Sequence, residues 1–277
     1  MGSATRRRKS FLQENPLCIF CGGVEKATTV EHCPPRAMFQ GRKWPEGFEF
    51  PSCAECNHGS TNDDLLIAVL ARIGQNDGQG DQDGALSGLV KSANRQYPNL
   101  IQNMKPTALE ERNLNKRLGI NPVSGQAHQD IAAMKLPDVF HKAVAVLASK
   151  LVKGVYYQYV GKAFPLDGCL LMNWFTNAQI FLHGNYIVSD IFKSIDGEVP
   201  PIVRSGKYLD DQFEIKLSIS SDKNSFMLQV LFGKSFGFVV IGCVEAGRLE
   251  TRLNDLRDQA KRDGPFVILQ SQCETKS

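Results

Sequence analysis

The chain has 277 residues, of which 42% are hydrophobic and 22% charged, with a formal net charge of +3. These are the values of an ordinary globular protein, and the length exceeds the ~150 residues of a typical domain, so one large or two smaller domains are expected. They argue against a wholly disordered chain, and no run approaches the ~18 uninterrupted apolar residues of a membrane span.

The chain opens on a basic run, Arg6, Arg7, Arg8 and Lys9, which leads into Phe11-Leu12-Gln13-Glu14-Asn15 with no apolar stretch behind it. That is not the layout of a signal peptide, so a soluble, cytoplasmic protein is expected. The run reads either as an arm that lies on a phosphate backbone or as a solvated tail.

Next come Cys18-Ile19-Phe20-Cys21 and, after a long gap, Cys53-Ala54-Glu55-Cys56. Two thiolates two residues apart on a tight turn reach one ion, and two such turns supply the four sulfurs of a closed tetrahedral zinc site. Gly22 and Gly23 suit the sharp knuckle after the first pair. A redox pair would be expected beside a βαβ pattern, and none is visible. The remaining cysteines, Cys33, Cys169, Cys243 and Cys273, have no partner spacing and read as ordinary thiols.

Between the pairs lies Thr28-Thr29-Val30-Glu31-His32-Cys33-Pro34-Pro35. The β-prone run ends in an acid and a histidine, and the prolines then turn the chain out of the strand. A carboxylate there can hold a hard divalent ion, and a neutral imidazole can take a proton from water. Taken alone, the pair reads more readily as a solvated Glu beside a satisfied His. Arg36, Arg42 and Lys43 follow within reach and are candidates for holding phosphates, or ordinary loop residues. Trp44 packs the hairpin or stacks on a base.

Capping-type and acidic residues from Thr61 to Asp64 precede Leu65-Leu66-Ile67-Ala68-Val69-Leu70, which predicts a helix ending at Gly74. The stretch 74–84 has almost nothing to bury and reads as a linker, so the expected division is 1–73 and 85–277. Residues 85–195 read as mainly helical, with the clearest helix from about Asp138 to Val160. Residues 213–220, 226–232 and 236–242 then alternate or run apolar between turns and predict a three-stranded antiparallel meander. A charged helix over 246–262 and an apolar run, Phe266 to Leu269, close the chain. His128, His141 and His183 are isolated and read as packed or capping side chains.

Cys18, Cys21, Glu31, His32, Pro35, Cys53, Cys56 and Asn57, in that order and over roughly residues 15–73, resemble the HNH branch of the His-Me finger (ββα-metal) endonucleases. The resemblance implies a zinc-braced ββα-metal module, and with the mainly helical region and the C-terminal meander read from the sequence pattern the expected fold class is α+β. It implies metal-dependent hydrolysis of phosphodiester bonds, most readily in DNA, with structural Zn2+ on the four cysteines and a catalytic Mg2+ or Mn2+. His32 stands where the general base stands, Glu31 where the family has a metal-binding Asp, and Asn57 at the last metal ligand. His58, Asp63 and Asp64 lie near enough in sequence to substitute as ligands.

Such chains resemble nucleases of bacterial or phage mobile-element and defence systems. Glu31 is one methylene longer than the usual Asp. Phe48 occupies the place of the middle Asn that steadies the catalytic loop. The segment from Lys150 to Tyr157 followed by Gly161-Lys162 weakly resembles a basic-apolar helix found after such modules. Two further readings stand beside the nuclease: a non-catalytic zinc module that binds nucleic acid, and a protein-interaction domain with a relict site. The C-terminal region is a candidate homo-oligomer interface.

Overall fold

The computed structural model describes residues 3–73, 81–117, 134–176, 197–245 and 267–270. It is a mixed helix-and-sheet protein. Helix α1 (Ser3–Glu14) carries the basic run on an exposed surface, so that run is helical rather than a loose arm. Strands β1 (Thr29–His32) and β2 (Glu49–Ser52) pair antiparallel, with His32 opposite Glu49 and Glu31 opposite Phe50. The loop between them holds two short 3-10 turns, Arg36–Met38 and Gln40–Arg42. Helix α2 (Ala54–His58) and helix α3 (Thr61–Ile73) follow directly.

After α3 come α4 (Leu86–Gln96), α5 (Leu100–Asn103), α6 (Ala108–Arg117) and α7 (Asp138–Val160). The last of these runs over the predicted bounds. Gly161 ends it at φ 75°, the left-handed conformation that closes helices and that a glycine adopts without penalty.

Strand β3 (Cys169–Thr176) departs from the helical reading of 85–195. Its run, Cys-Leu-Leu-Met-Asn-Trp-Phe-Thr, is apolar nearly throughout, and such a run carries no period that separates a buried strand from a buried helix. A short hairpin follows, β4 (Val203–Arg204) and β5 (Lys207–Tyr208). The predicted meander is present as β6 (Glu214–Ile219), β7 (Ser225–Phe232) and β8 (Phe236–Cys243), with β9 (Val267–Gln270) formed by the closing apolar run. The sheet is larger than the meander: five strands in the order β6-β7-β8-β3-β9, with every neighbour antiparallel. The charged helix expected over 246–262 lies outside the described residues, as do His128, His183 and Cys273.

Alternation along the strands decides the layering. Leu228, Val230, Phe238, Val240, Leu170 and Met172 turn one sheet face toward α7 and are fully buried. The opposite face holds two small clusters, Cys169–Leu171–Cys243 and Phe175–Val239. Helix α7 lies between this sheet and the N-terminal elements, against α3 on one side. One continuous core therefore joins Phe39, Phe48, Phe50 and Leu66 to Leu147, Leu151, Phe213 and Phe232.

Gly154 marks a close approach between α7 and β2, since a Cβ there would lie 2.6 Å from Cζ of Phe50. The part of the linker segment that is described is tied down rather than loose. Asp83 receives Arg72 Nη1 at 2.6 Å and the Gly41 amide at 2.6 Å. Among the described residues, no helix is long and apolar enough to cross a membrane.

Candidate metal centre and His32 surface

The four cysteines come together. Their sulfurs all lie within 4.8 Å of one another and form a group able to hold a metal ion such as zinc. The knuckles are built as such sites require: the Cys56 amide donates to Cys53 Sγ at 3.4 Å, and the Glu25 amide to Cys21 Sγ at 3.4 Å. The Cys18 thiol is drawn down to about 4 by its hydrogen bond with Cys56, whose own thiol is pushed up by the same contact.

A cation from the C-terminal region completes the surroundings. Lys153 of α7 is buried, donates to the Phe20 carbonyl at 2.8 Å and feels the charge of Cys18, Cys21 and Cys56. Burial lowers its pKa, and the sulfurs oppose that shift. Four thiolates on one divalent ion carry a net charge of about −2, so a neighbouring ammonium is electrostatically apt. Cys33, Cys169 and Cys243 are buried and lie outside this group.

Glu31 and His32 are neighbours on β1 and therefore point to opposite faces of the hairpin. Glu31 points inward and is 4% exposed. Its Oε1 accepts from Lys150 Nζ of α7 at 2.7 Å, and the same ammonium donates to Ser60 Oγ at 2.5 Å. Burial raises the Glu31 carboxyl, with Lys150 opposing. Lys150 is raised overall, because the Glu31 and Asp64 carboxylates outweigh its burial, so the lysine keeps its proton. Burial also pushes Asp64 up to about 7. Lys150, Ser60 and Glu31 thus form a buried polar cluster with the half-buried Asp64, which accepts from Ser60 Oγ at 3.2 Å.

Asn57 is turned back onto the hairpin. Its Nδ2 donates to Thr29 Oγ1 at 2.9 Å and to the Val30 carbonyl at 3.3 Å, so it braces β1. Phe48 is a core residue, edge-on to Phe50 and to Phe213. Asp63 is buried, and His58 is exposed on α2.

His32 faces outward, with a quarter of its side chain exposed and Nε2 3.6 Å from Glu49 Oε1. Its ring stands edge-on to Trp44 at 4.8 Å between centroids. Burial first, and then the charge of Arg36, Arg204 and Arg42, lowers the imidazole pKa from its usual 6.5, against a pull from Glu49. The ring is therefore neutral at pH 7. Arg36 and Arg204 both lie over the Trp44 ring, at 5.0 and 3.9 Å from its centroid. Arg42 and Lys43 are exposed at the rim.

Arg72 sets the path of this rim, donating from Nε to the Ala37 carbonyl at 2.9 Å and from Nη2 to the Phe39 carbonyl at 2.6 Å.

Of the residues that the sequence singles out, the four cysteines come together as a metal-binding group, and His32 lies beside Arg36 and Arg42; sequence reasoning assigned no role to Lys150, Lys153 or Arg204. For Arg204 a signal existed: Val203-Arg204-Ser205-Gly206-Lys207-Tyr208 has Ser-Gly between short β-prone flanks, and both turn residues have positive φ. For the lysines no local signal existed, because only the docking of α7 gives them partners. Comparison with protein-family models, with curated proteins and with solved structures finds no match to this chain.

Proposed function

We propose that the chain is a hydrolase of phosphodiester bonds in nucleic acid, with DNA its substrate and His32 its general base. The observation that carries this reading is the state of His32. A neutral, half-buried imidazole sits at the end of a strand among cationic side chains, where a water molecule and a phosphate can meet it. The basic residues Arg36, Arg42 and Lys43 would neutralise phosphate charge. Support also comes from the order of elements, a two-stranded hairpin followed by helices beside a cysteine quartet, which is the arrangement that the HNH resemblance implies. The four cysteines would hold structural zinc and fix the hairpin on α2.

The proposed catalytic ion, Mg2+ or Mn2+, would be held through Glu31 and Asn57. Glu31 would have to exchange its ammonium partner Lys150 for the ion, and Asn57 would act from the side of its amide that does not brace β1.

Incubation of supercoiled plasmid with the full chain, with and without magnesium or manganese, tests the proposal. Nicking should require the divalent ion and be lost in His32→Ala. Because the imidazole is shifted below 6.5, the rate should hold from pH 8 down to that value and fall only at lower pH, as the ring takes a proton. Nicking that survives in His32→Ala would remove the assignment.

A second reading, a zinc module that binds nucleic acid without cutting it, is favoured by three specific observations. Glu31 is paired with Lys150, Asn57 braces the strand, and Phe48 is core. It predicts binding without nicking at any metal concentration.

A further inference from the structure

We propose that the β4–β5 hairpin is the second wall of the nucleic-acid surface, and that Arg204 holds a backbone phosphate beside the one presented to His32. The proposal rests on the reading above that this surface receives nucleic acid.

The hairpin comes from far along the chain and is fastened to the His32 loop at two points. The Glu46 amide donates to the Val203 carbonyl at 3.0 Å, and the Ser205 amide donates to Glu46 Oε1 at 2.7 Å. Ser205 and Gly206 form a two-residue turn with φ of 51° and 75°, which sets Arg204 and Lys207 opposite each other at its base. This fastening brings the Arg204 guanidinium to 3.9 Å from the Trp44 centroid, on the same ring that meets His32.

The kind of contact follows from what Arg204 does not do. Neither it nor Arg36 is ion-paired with a carboxylate among the described residues. A guanidinium held by an aromatic ring keeps its in-plane N–H donors for a ligand, whereas one held by a carboxylate has spent them. Two such forks beside one neutral imidazole suit an anion with several acceptor oxygens, and repeated phosphates fit two forks better than a single carboxylate does. With two guanidiniums already over it, the Trp44 ring serves the arginines rather than a base. Recognition here is thus of backbone, independent of base sequence.

The test measures binding by fluorescence anisotropy with two labelled 20-bp duplexes of unrelated sequence. It uses the full chain carrying His32→Ala, so that nothing is cut, over a range of salt. Adding Arg204→Gln should weaken both duplexes equally, roughly eightfold at 0.1 M salt, and lower the slope of log K against log salt by about 0.9, the signature of one lost phosphate contact. Arg204→Lys should restore the slope, which a merely structural role would not do. Unchanged affinity and slope in Arg204→Gln would overturn the proposal, as would weakening confined to one sequence or failure of the parent to bind either duplex. The two readings separate cleanly. Plasmid nicking by the wild type with Arg204-independent binding removes this proposal alone, and Arg204-dependent binding without nicking removes the hydrolase alone.

Discussion

At the scale of single residues, the Glu31–Lys150 pair is a buried ion pair, with Lys150 Nζ 2.7 Å from Glu31 Oε1. Taking two charges out of water costs several kcal/mol per ion, and their mutual attraction, the Ser60 hydroxyl and the nearby Asp64 offset it. Breaking such a pair is worse than removing it. Lys150→Met should therefore cost about 3 kcal/mol or more in urea unfolding, because a buried carboxyl is left without its cation. The double variant Glu31→Gln/Lys150→Met should recover part of that loss. A single variant as stable as the double would show that the ammonium does not hold the carboxylate.

The same pair shows why residue identity alone misleads. Glu31 and His32 are adjacent in sequence, yet the period of two along a strand sends one into the core and the other to the surface. Glu31 was legible as a functional candidate, but its lysine, 119 positions away, was not.

At the scale of elements, α7 does the organising. Three residues apart on its surface, Lys150 meets Glu31 and Lys153 meets the cysteine quartet, while Gly154 lets the helix lie against Phe50 of β2. Gly154→Ala gains about 1 kcal/mol of helix propensity, yet its Cβ would meet the Phe50 ring at 2.6 Å. The clash should win, because ring and helix are both fixed by packing. A net destabilisation of about 1–2 kcal/mol is expected, read as a lower melting temperature. A melting temperature equal to or above that of the parent would mean that the two elements can slide apart freely.

The bounds of α7 were legible because apolar residues recur at helical spacing before Gly161, and those of α3 because capping-type and acidic residues precede its apolar run and Gly74 follows it in sequence. Strand β3 was not legible, because a uniformly apolar run leaves the choice to its neighbours β8 and β9.

At the scale of the whole molecule, the N-terminal hairpin and the C-terminal sheet share one core through α7, so the metal centre should be felt well beyond residues 18–56. Purified protein should contain one zinc per chain by metal analysis. Stripping it with a strong chelator should lower the melting temperature of the whole, since the free energy of metal binding is folding free energy. Metal-free protein with an unchanged melting temperature would show that the quartet braces nothing. Sequence alone determined what depends on neighbours along the chain. The Cys-x-x-Cys knuckles, the strand that ends at His32, the period of α7 and the meander are all local patterns, set by turn geometry and by the alternation of apolar side chains. Tertiary structure alone decided which charges are paired and which are free. Lys150 closes off Glu31, Lys153 faces the sulfurs, and Arg204 joins the rim of His32, because burial and long-range docking, rather than spacing, set the partner of a charged group.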